Sequence, residues 1–448
     1  MAVFRISTNF SGVGAQMSNK KSGPIERMLA AAMKVEAHEV RATVLSFLFV
    51  FTLMAAYFII RPVRDAMASD WSRTETSFLW SLTFLFSIIA VVLYGFVISR
   101  VRFSRVVPGV YVFFAASFAV FYFGTEFVAD PILVDKAFYV WLSVFSLFHT
   151  SVFWSFMSGL FSKEQAPRLF AVIASGASIG AIVGPAIPTF FAQDIGVMNL
   201  MLISAVMLLV PVPMIGALER LKVGELGNEH LKADLRQAER LGKNPFSGFM
   251  IFVRNPYLLA IGTFILMYVT MSTFVYMELR EFLAIYERPE RAEIQASIDL
   301  AVNSLALLTA LFATSRLTSR FGMATTLALI PALMVGGWLV VAMIPVLGVL
   351  IGLQIVRRAG NYAVTRPGRE MLFTVVDNET RFKAKPVIDI VVYRGGDMVT
   401  AWLHTGLRET LNFGLGGVAL AAAVVAGIWA MAGVYLGRAY NRAGAEDE

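Results

Sequence analysis

Apolar runs long enough to cross a bilayer recur along the whole chain, separated by short polar segments. A hydrocarbon core about 30 Å thick takes roughly 20 apolar residues as a helix. The pattern predicts spans at 43–66, 77–98, 107–124, 137–161, 168–192 and 196–218. It predicts six more at 257–282, 293–315, 323–345, 347–373, 386–407 and 413–437. Between the two sets lies 219–256, rich in Glu, Lys and Arg, with Leu231, Leu235 and Leu241 at helical spacing. The predicted fold class is therefore an all-α integral membrane protein, with twelve transmembrane helices in two six-helix bundles. The expected organisation is a tail at 1–41, whose residues 25–41 form an interfacial or solvated helix, then a first bundle at 42–218. A linker with a short amphipathic helix follows at 219–256, then a second bundle at 257–437 and a tail at 438–448.

Composition agrees and narrows the chemistry. Of 448 residues, 57% are hydrophobic and 15% charged, against about 25% charged in soluble domains. A soluble chain this apolar would expose large adhesive patches. The absence of cysteine excludes disulfides, thiolate metal sites and cysteine nucleophiles. Four histidines argue against a histidine metal cluster. No Gly-x-x-x-x-Gly-Lys-Ser/Thr run is present, so no ATP-hydrolysing engine is encoded. No enzyme activity, no cofactor and no metal is expected.

The net charge of +7 raises the question of nucleic acid. The basic residues lie mostly between apolar runs, where the positive-inside rule accounts for them, so no nucleic-acid partner is expected. Ten of them sit in short loops on one side: Arg100, Arg102, Arg105, Lys163, Arg168, Arg316, Arg320, Arg381, Lys383 and Lys385. Five sit on the other: Arg73, Lys136, Arg288, Arg291 and Arg408. The first side is expected to be cytoplasmic, with both termini there. The N-terminus shows no apolar run followed by a small-residue cleavage site. A bacterial inner membrane is the expected location, and a monomer the expected state.

Six spans, a charged loop and six more spans resemble the major facilitator architecture. Its halves are related by an axis along the membrane normal, and the resemblance implies a central cavity lined by spans 1, 4, 7 and 10. Arg316-Leu-Thr-Ser-Arg320-Phe-Gly322 resembles that superfamily's cytoplasmic loop motif. Gly95 through Arg105 is a weaker copy, with Ser99 where an aspartate is usual.

Charges inside the spans are the most informative residues, because each costs about 2.5–3.5 kcal/mol at the bilayer centre. Span 1 ends in Arg61-Pro62-Val63-Arg64-Asp65 and span 10 in Arg366-Pro367-Gly368-Arg369-Glu370. Both read Arg-Pro-x-Arg-acid, and arginines three apart share a helix face. One pair is expected toward each face of the membrane. Guanidinium matches phosphate and carboxylate bidentately, so Arg61, Arg64, Arg366 and Arg369 are the candidate substrate-binding residues. Helix-end salt bridges are the competing role, and Asp65 and Glu370 are expected to pair with a neighbouring arginine.

Other charges are candidates for gating or coupling. Asp389, Arg394 and Asp397 lie in span 11, with Arg394 and Asp397 three apart and able to pair. Asp299 in span 8, with Asn303 one turn on, is either a proton or sodium site or a packing group. Arg357 and Arg358 are adjacent in span 10 and cannot both face lipid; Arg358 joins the gating set. Glu278, Arg280 and Glu281 are expected to form a solvated end of span 7. His149 is either a proton relay or, as is usual, a hydrogen-bonded packing histidine. Gly176, Gly180 and Gly184 in span 5 form a small-xxx-small stripe for close helix contact.

From 362 to 397 the residues are similar to the ATP:ADP antiporters, the nucleotide transporters of plastids and obligate intracellular bacteria. The residues that stand at the family's pattern are Tyr362, Arg366, Pro367, Arg369, Glu370, Met371, Asp377, Glu379, Lys383, Lys385, Ile388, Asp389, Arg394, Gly396 and Asp397. Span 1 resembles the family's Arg-x-x-Lys-Asp through Arg61, Arg64 and Asp65. Phe153-Trp154, Glu164, Arg168, Phe170, Gly176 and Gly180 extend the likeness. Arg64 replaces a lysine, Arg366 an aspartate and Asp397 a lysine; the two reversals bear on the cargo rather than the class. The resemblance implies exchange of an anionic small molecule such as a nucleotide by alternating access. A proton-coupled carrier or exporter of another anionic or amphiphilic metabolite, using Asp389, Asp397 or Asp299, is the alternative. A non-transporting scaffold would need no cavity charges.

Overall fold

The computed structural model describes residues 35–100, 103–128, 130–162, 165–228, 247–312, 314–373, 375–376, 384 and 387–446. Among them there are helices and no strands. The first six spans are α1 (Val40–Met67), α2 (Arg73–Arg100), α3 (Phe103–Phe127), α4 (Pro131–Leu160), α5 (Ala166–Ile195) and α6 (Val197–Gly224). A short helix, Ser247–Arg254, precedes α7 (Pro256–Leu283), α8 (Arg288–Phe312) and α9 (Thr314–Met343). Span 10, α10, is interrupted: Leu347–Gly360, a π turn at Asn361–Thr365, then Arg366–Met371. Span 11, α11, consists of Tyr393–Thr405 between π turns at Val387–Val392 and Gly406–Thr410. The last span is α12 (Leu415–Glu446). The helix expected around Leu231, Leu235 and Leu241, and residues 25–34 of the tail helix, lie outside the described residues.

Local chemistry explains where helices begin and turn. Pro131 and Pro256 open α4 and α7, where a missing N–H is harmless. The Asp130 carboxylate accepts from the Ile132 and Leu133 amides, and Asn255 accepts from those of Tyr257 and Leu258. Gly322, in the predicted loop motif, has φ +75° and ψ 172°. That left-handed backbone favours glycine, and it turns the chain into the main part of α9. In α10, Pro367 has no N–H for the Ala363 carbonyl four residues back, and the wider π turn just before it accommodates the break.

Nine helices among the described residues are long and apolar enough to cross a membrane. The other three spans are α8, α10 and α11. They carry Asp299, Arg357, Arg358, Arg394 and Asp397, and two of them are interrupted by π turns. The twelve spans form two bundles with separate apolar cores. One core holds Phe49, Leu53, Phe118, Phe145 and Phe153; the other holds Phe264, Phe274, Trp338 and Trp429. The bundles meet where α8 packs on α1 and α5, and where α2 packs on α11. The α5 glycines lie on α1 as expected. A Cβ on Gly176, Gly180 or Gly184 would stand 2.6, 2.3 or 2.6 Å from the carbonyl oxygen of Phe47, Phe51 or Ala55.

Candidate anion-binding cavity

Between the bundles lies a cavity of about 650 Å³, within the range of small-molecule sites. Its walls come from α1, α2, α4 and α5 on one side and α7, α8, α10 and α11 on the other. The lining includes five arginines (Arg61, Arg64, Arg357, Arg366 and Arg394) against one acid, Asp397. It also includes the rings of Tyr57, Trp80, Tyr139, Tyr276, Tyr362 and Tyr393.

The arginines differ in how fully they are satisfied. Arg64 Nη2 lies 2.6 Å from Asp65 Oδ1, its Nη1 donates to Ser143 Oγ at 3.2 Å, and its guanidinium lies 5.3 Å from the Tyr139 ring centroid. Arg61 is held between Asp65 at 3.6 Å and Asp299 at 3.3 Å. Asp299 also pairs with Arg358, so one buried carboxylate joins α1 to α8 and α10. Arg394 lies 3.7 Å from Asp397 and donates to Ser146 across the cavity at 3.2 Å. Arg357 is only 2% exposed and has no carboxylate partner among the described residues. Its Nη2 donates to Gln354 Oε1 at 2.7 Å and its Nη1 to Tyr268 OH at 3.4 Å, while its buried Nε–H has no acceptor among the described residues. Arg366, on the wall, has neither an ion-pair nor a hydrogen-bond partner among the described residues.

The end at which α1 turns into α2 is closed by bonds between the bundles. Arg73 of α2 pairs with Glu281 of α7. Arg280 donates to the Ala68 and Trp71 carbonyls at 2.9 and 2.7 Å, and to Thr76. Arg288 bridges Asp70 at 2.6 Å and Asp135 at 2.8 Å, and Arg291 also reaches Asp70. Thr74 donates to Glu409 at 2.7 Å, and Gln193 to Glu293 at 2.6 Å. All five basic residues assigned to this side, Arg73, Lys136, Arg288, Arg291 and Arg408, are in ion pairs.

The sequence-predicted residues are only partly brought together. Arg61, Arg64, Arg366, Arg394 and Asp397 line the cavity. Arg369 does not; it lies 3.2 Å from Glu370. Three residues on a helix leave an offset of about 60°. In α1 both arginines still reach the cavity, whereas in α10 only the first does. Asp299 and Arg358 lie behind the wall as a buried ion pair rather than in the open. The side chain of Asp389 is outside the described residues. Glu278, Arg280 and Glu281 are not a solvated end: Glu278 is fully buried, Arg280 is 3% exposed, and all three belong to the closed seam. His149 stacks on Tyr57 at 4.5 Å between centroids and faces the cavity. Sequence reasoning flagged Arg357 without assigning it to the site, and it missed Trp80, Tyr139 and Tyr276. Each is a single polar-tipped ring on a different helix, a signal that lipid-facing aromatics share. The densest group of ligand-type side chains among the described residues is Glu36, His38 and Glu39. Arg168 already lies on both of these glutamates, at 3.2 and 2.9 Å.

Two helical bundles around a polar cavity, one end sealed by ion pairs, define a multi-pass membrane transporter for a small molecule. The family model of the Major Facilitator Superfamily matches residues 45–367, and the chain belongs to that superfamily. Solved structures agree on the fold. A bacterial homologue of the human lysosomal transporter Spinster, inward-facing and unoccupied, has a TM-score of 0.51 at 13% identity, over 94% of this chain and 99% of that one. A point mutant of the nucleoside transporter NupG has a TM-score of 0.54 at 15% identity, over 91% and 99%. A POT family transporter in complex with 5-aminolevulinic acid has a TM-score of 0.62 at 11% identity, over 89% and 96%. At these identities the likeness speaks for the fold alone. No curated protein sequence matches the chain.

Proposed function

We propose that this transporter exchanges an organic anion, such as a nucleotide, across the membrane by alternating access. The observation that carries the proposal is the charge of the cavity: five arginines against one aspartate, two of them without any carboxylate among the described residues. Surplus cationic charge in a low-dielectric cavity is unfavourable until an anion offsets it. Fork-shaped donors suit phosphate or carboxylate. Arg64, Arg357, Arg366 and Arg394 are the anion contacts in this reading. Arg61 divides its charge between Asp65 and Asp299, and so ties the anion site to the α1–α8 contact. Asp65, Asp299, Arg358, Arg369 and Glu370 act through ion pairs in gating. The Trp80 and Tyr276 rings, 5.5 Å apart and inclined 40° to each other, offer apolar ring faces for a planar group. The resemblance to the ATP:ADP antiporters makes nucleotides the first solutes to try.

The remaining assignments follow the same reading. With both termini cytoplasmic, the sealed end is periplasmic and the cavity faces inward. The protein works as a monomer in a bacterial inner membrane, with bundles at 42–218 and 257–437. A proton-coupled carrier is the second reading, supported by Asp397 in the cavity wall, 3.7 Å from Arg394.

Uptake of labelled ATP and ADP into liposomes carrying the purified protein tests the proposal. Uptake that requires internal nucleotide is expected. Uptake driven by a pH gradient with no internal solute would favour the second reading. Absence of nucleotide uptake by folded protein would exclude nucleotides.

A further inference from the structure

A second titratable cluster lies outside the cavity, in the seam that seals the α1–α2 end. Glu278 of α7 and His404 of α11 are both fully buried. His404 Nε2 lies 2.9 Å from Glu278 Oε1, and Arg408 Nε lies 3.4 Å from the same oxygen. Two atoms of this pair have no partner among the described residues: Glu278 Oε2 and His404 Nδ1. A buried carboxylate oxygen and a buried imidazole nitrogen, each lacking a bond, are costly features of a fold. They suit a site that must gain and lose a proton.

We propose that Glu278 and His404 form a proton-binding site that couples opening of this end of the transporter to protonation. Every charged group around the pair fixes the direction of that coupling. From α7 come Glu281 and Arg280, from α2 Arg73, and from α11 Arg408 and Glu409; among the described residues α12 contributes no titratable group, and the Phe413 carbonyl ahead of it accepts from Arg408. With the pair carrying a single negative charge, Glu278, Glu281 and Glu409 balance Arg73, Arg280 and Arg408. Arg280 is buried as a cation held by carbonyl and hydroxyl oxygens. One more proton adds an uncompensated positive charge to this dry cluster. It also loosens Arg408 from Glu278, leaving Arg408 and Arg73 to compete for Glu281, the acid to which Arg73 bonds across the seam. Protonation therefore weakens the bonds that hold the seam shut, and acid shifts the population toward the open end. The sealed pair has no solvent access, so a proton enters or leaves only while this end is open. That is the condition for proton movement to be tied to the transport cycle.

The test needs no knowledge of the cargo. The chain has no cysteine, so Val128→Cys with Ile285→Cys, both exposed and on opposite bundles at this end, places two spin labels cleanly. In lipid nanodiscs, electron–electron distances are measured across pH. The wild-type background is expected to shift from a short to a longer distance as pH falls. Glu278→Gln is expected to favour the long distance at every pH. His404→Gln is expected to lose the midpoint, and Asp397→Asn to keep it. A distance unchanged with pH in the wild-type background overturns the proposal even where the variants do not fold. Folded Glu278→Gln and His404→Gln proteins that both keep the wild-type midpoint overturn it equally. Nucleotide exchange does not enter this measurement, so its failure and failure of the cargo assignment are separable.

Discussion

Arg357 and Arg358 are neighbours in sequence with opposite consequences. Arg358 is neutralised by Asp299, whereas Arg357 is buried without a carboxylate among the described residues. Asp299→Asn leaves Arg358 without a carboxylate and Arg61 with Asp65 alone, which costs about 3–5 kcal/mol. A clear fall in the thermal midpoint in detergent is expected, and Arg358→Gln in the same chain should restore most of it. Arg357→Gln removes a charge that the fold does not neutralise. The thermal midpoint should hold or rise, while anion affinity falls by about 1.5–3 kcal/mol, roughly ten- to a hundred-fold. Equal destabilisation by the two substitutions would show that Arg357 is structural.

At the scale of helices, close packing and interruption divide the labour. The glycines of α5 hold it against α1, where a backbone oxygen leaves no room for a side chain. Gly180→Val should prevent stable folding, judged by size-exclusion profile and protease resistance. Gly336→Ala, with nothing within 4 Å of the added carbon, should behave as the parent. The spans themselves were legible because lipid demands long apolar runs: each predicted span lies on one of the twelve helices, though ends miss by up to nine residues, at the start of α9 and the end of α12. The three spans outside the nine long apolar helices, α8, α10 and α11, carry Asp299, Arg357 and Asp397. The π turns of α10 and α11 were not legible. They arise from packing around Pro367 and between bundles rather than from a local pattern.

Across the whole molecule, the closed seam was the part that sequence missed. Arg280 bonds to carbonyls more than 200 positions away, and a helix end that meets a partner reads like one that meets water. The paired arginines were legible because a charge in a span requires a reason. Their exposure to the cavity was not, since Arg369 and Arg64 occupy the same place in the motif and only Arg64 reaches it. Glu281→Gln removes the acid that joins α7 to α2 through Arg73. The label distance between Val128→Cys and Ile285→Cys should lengthen at neutral pH, and an unchanged distance would mean that Arg280, Arg288 and Arg291 close this end without it.

The central claim is that the cavity selects its solute by negative charge. Calorimetric titration of the purified protein with adenosine, AMP, ADP and ATP at one fixed salt concentration tests it most directly. The account predicts affinity that rises along the series, weakens with added salt, and flattens in Arg357→Gln. Adenosine binding as tightly as ATP, unmoved by salt or by loss of Arg357, would contradict it.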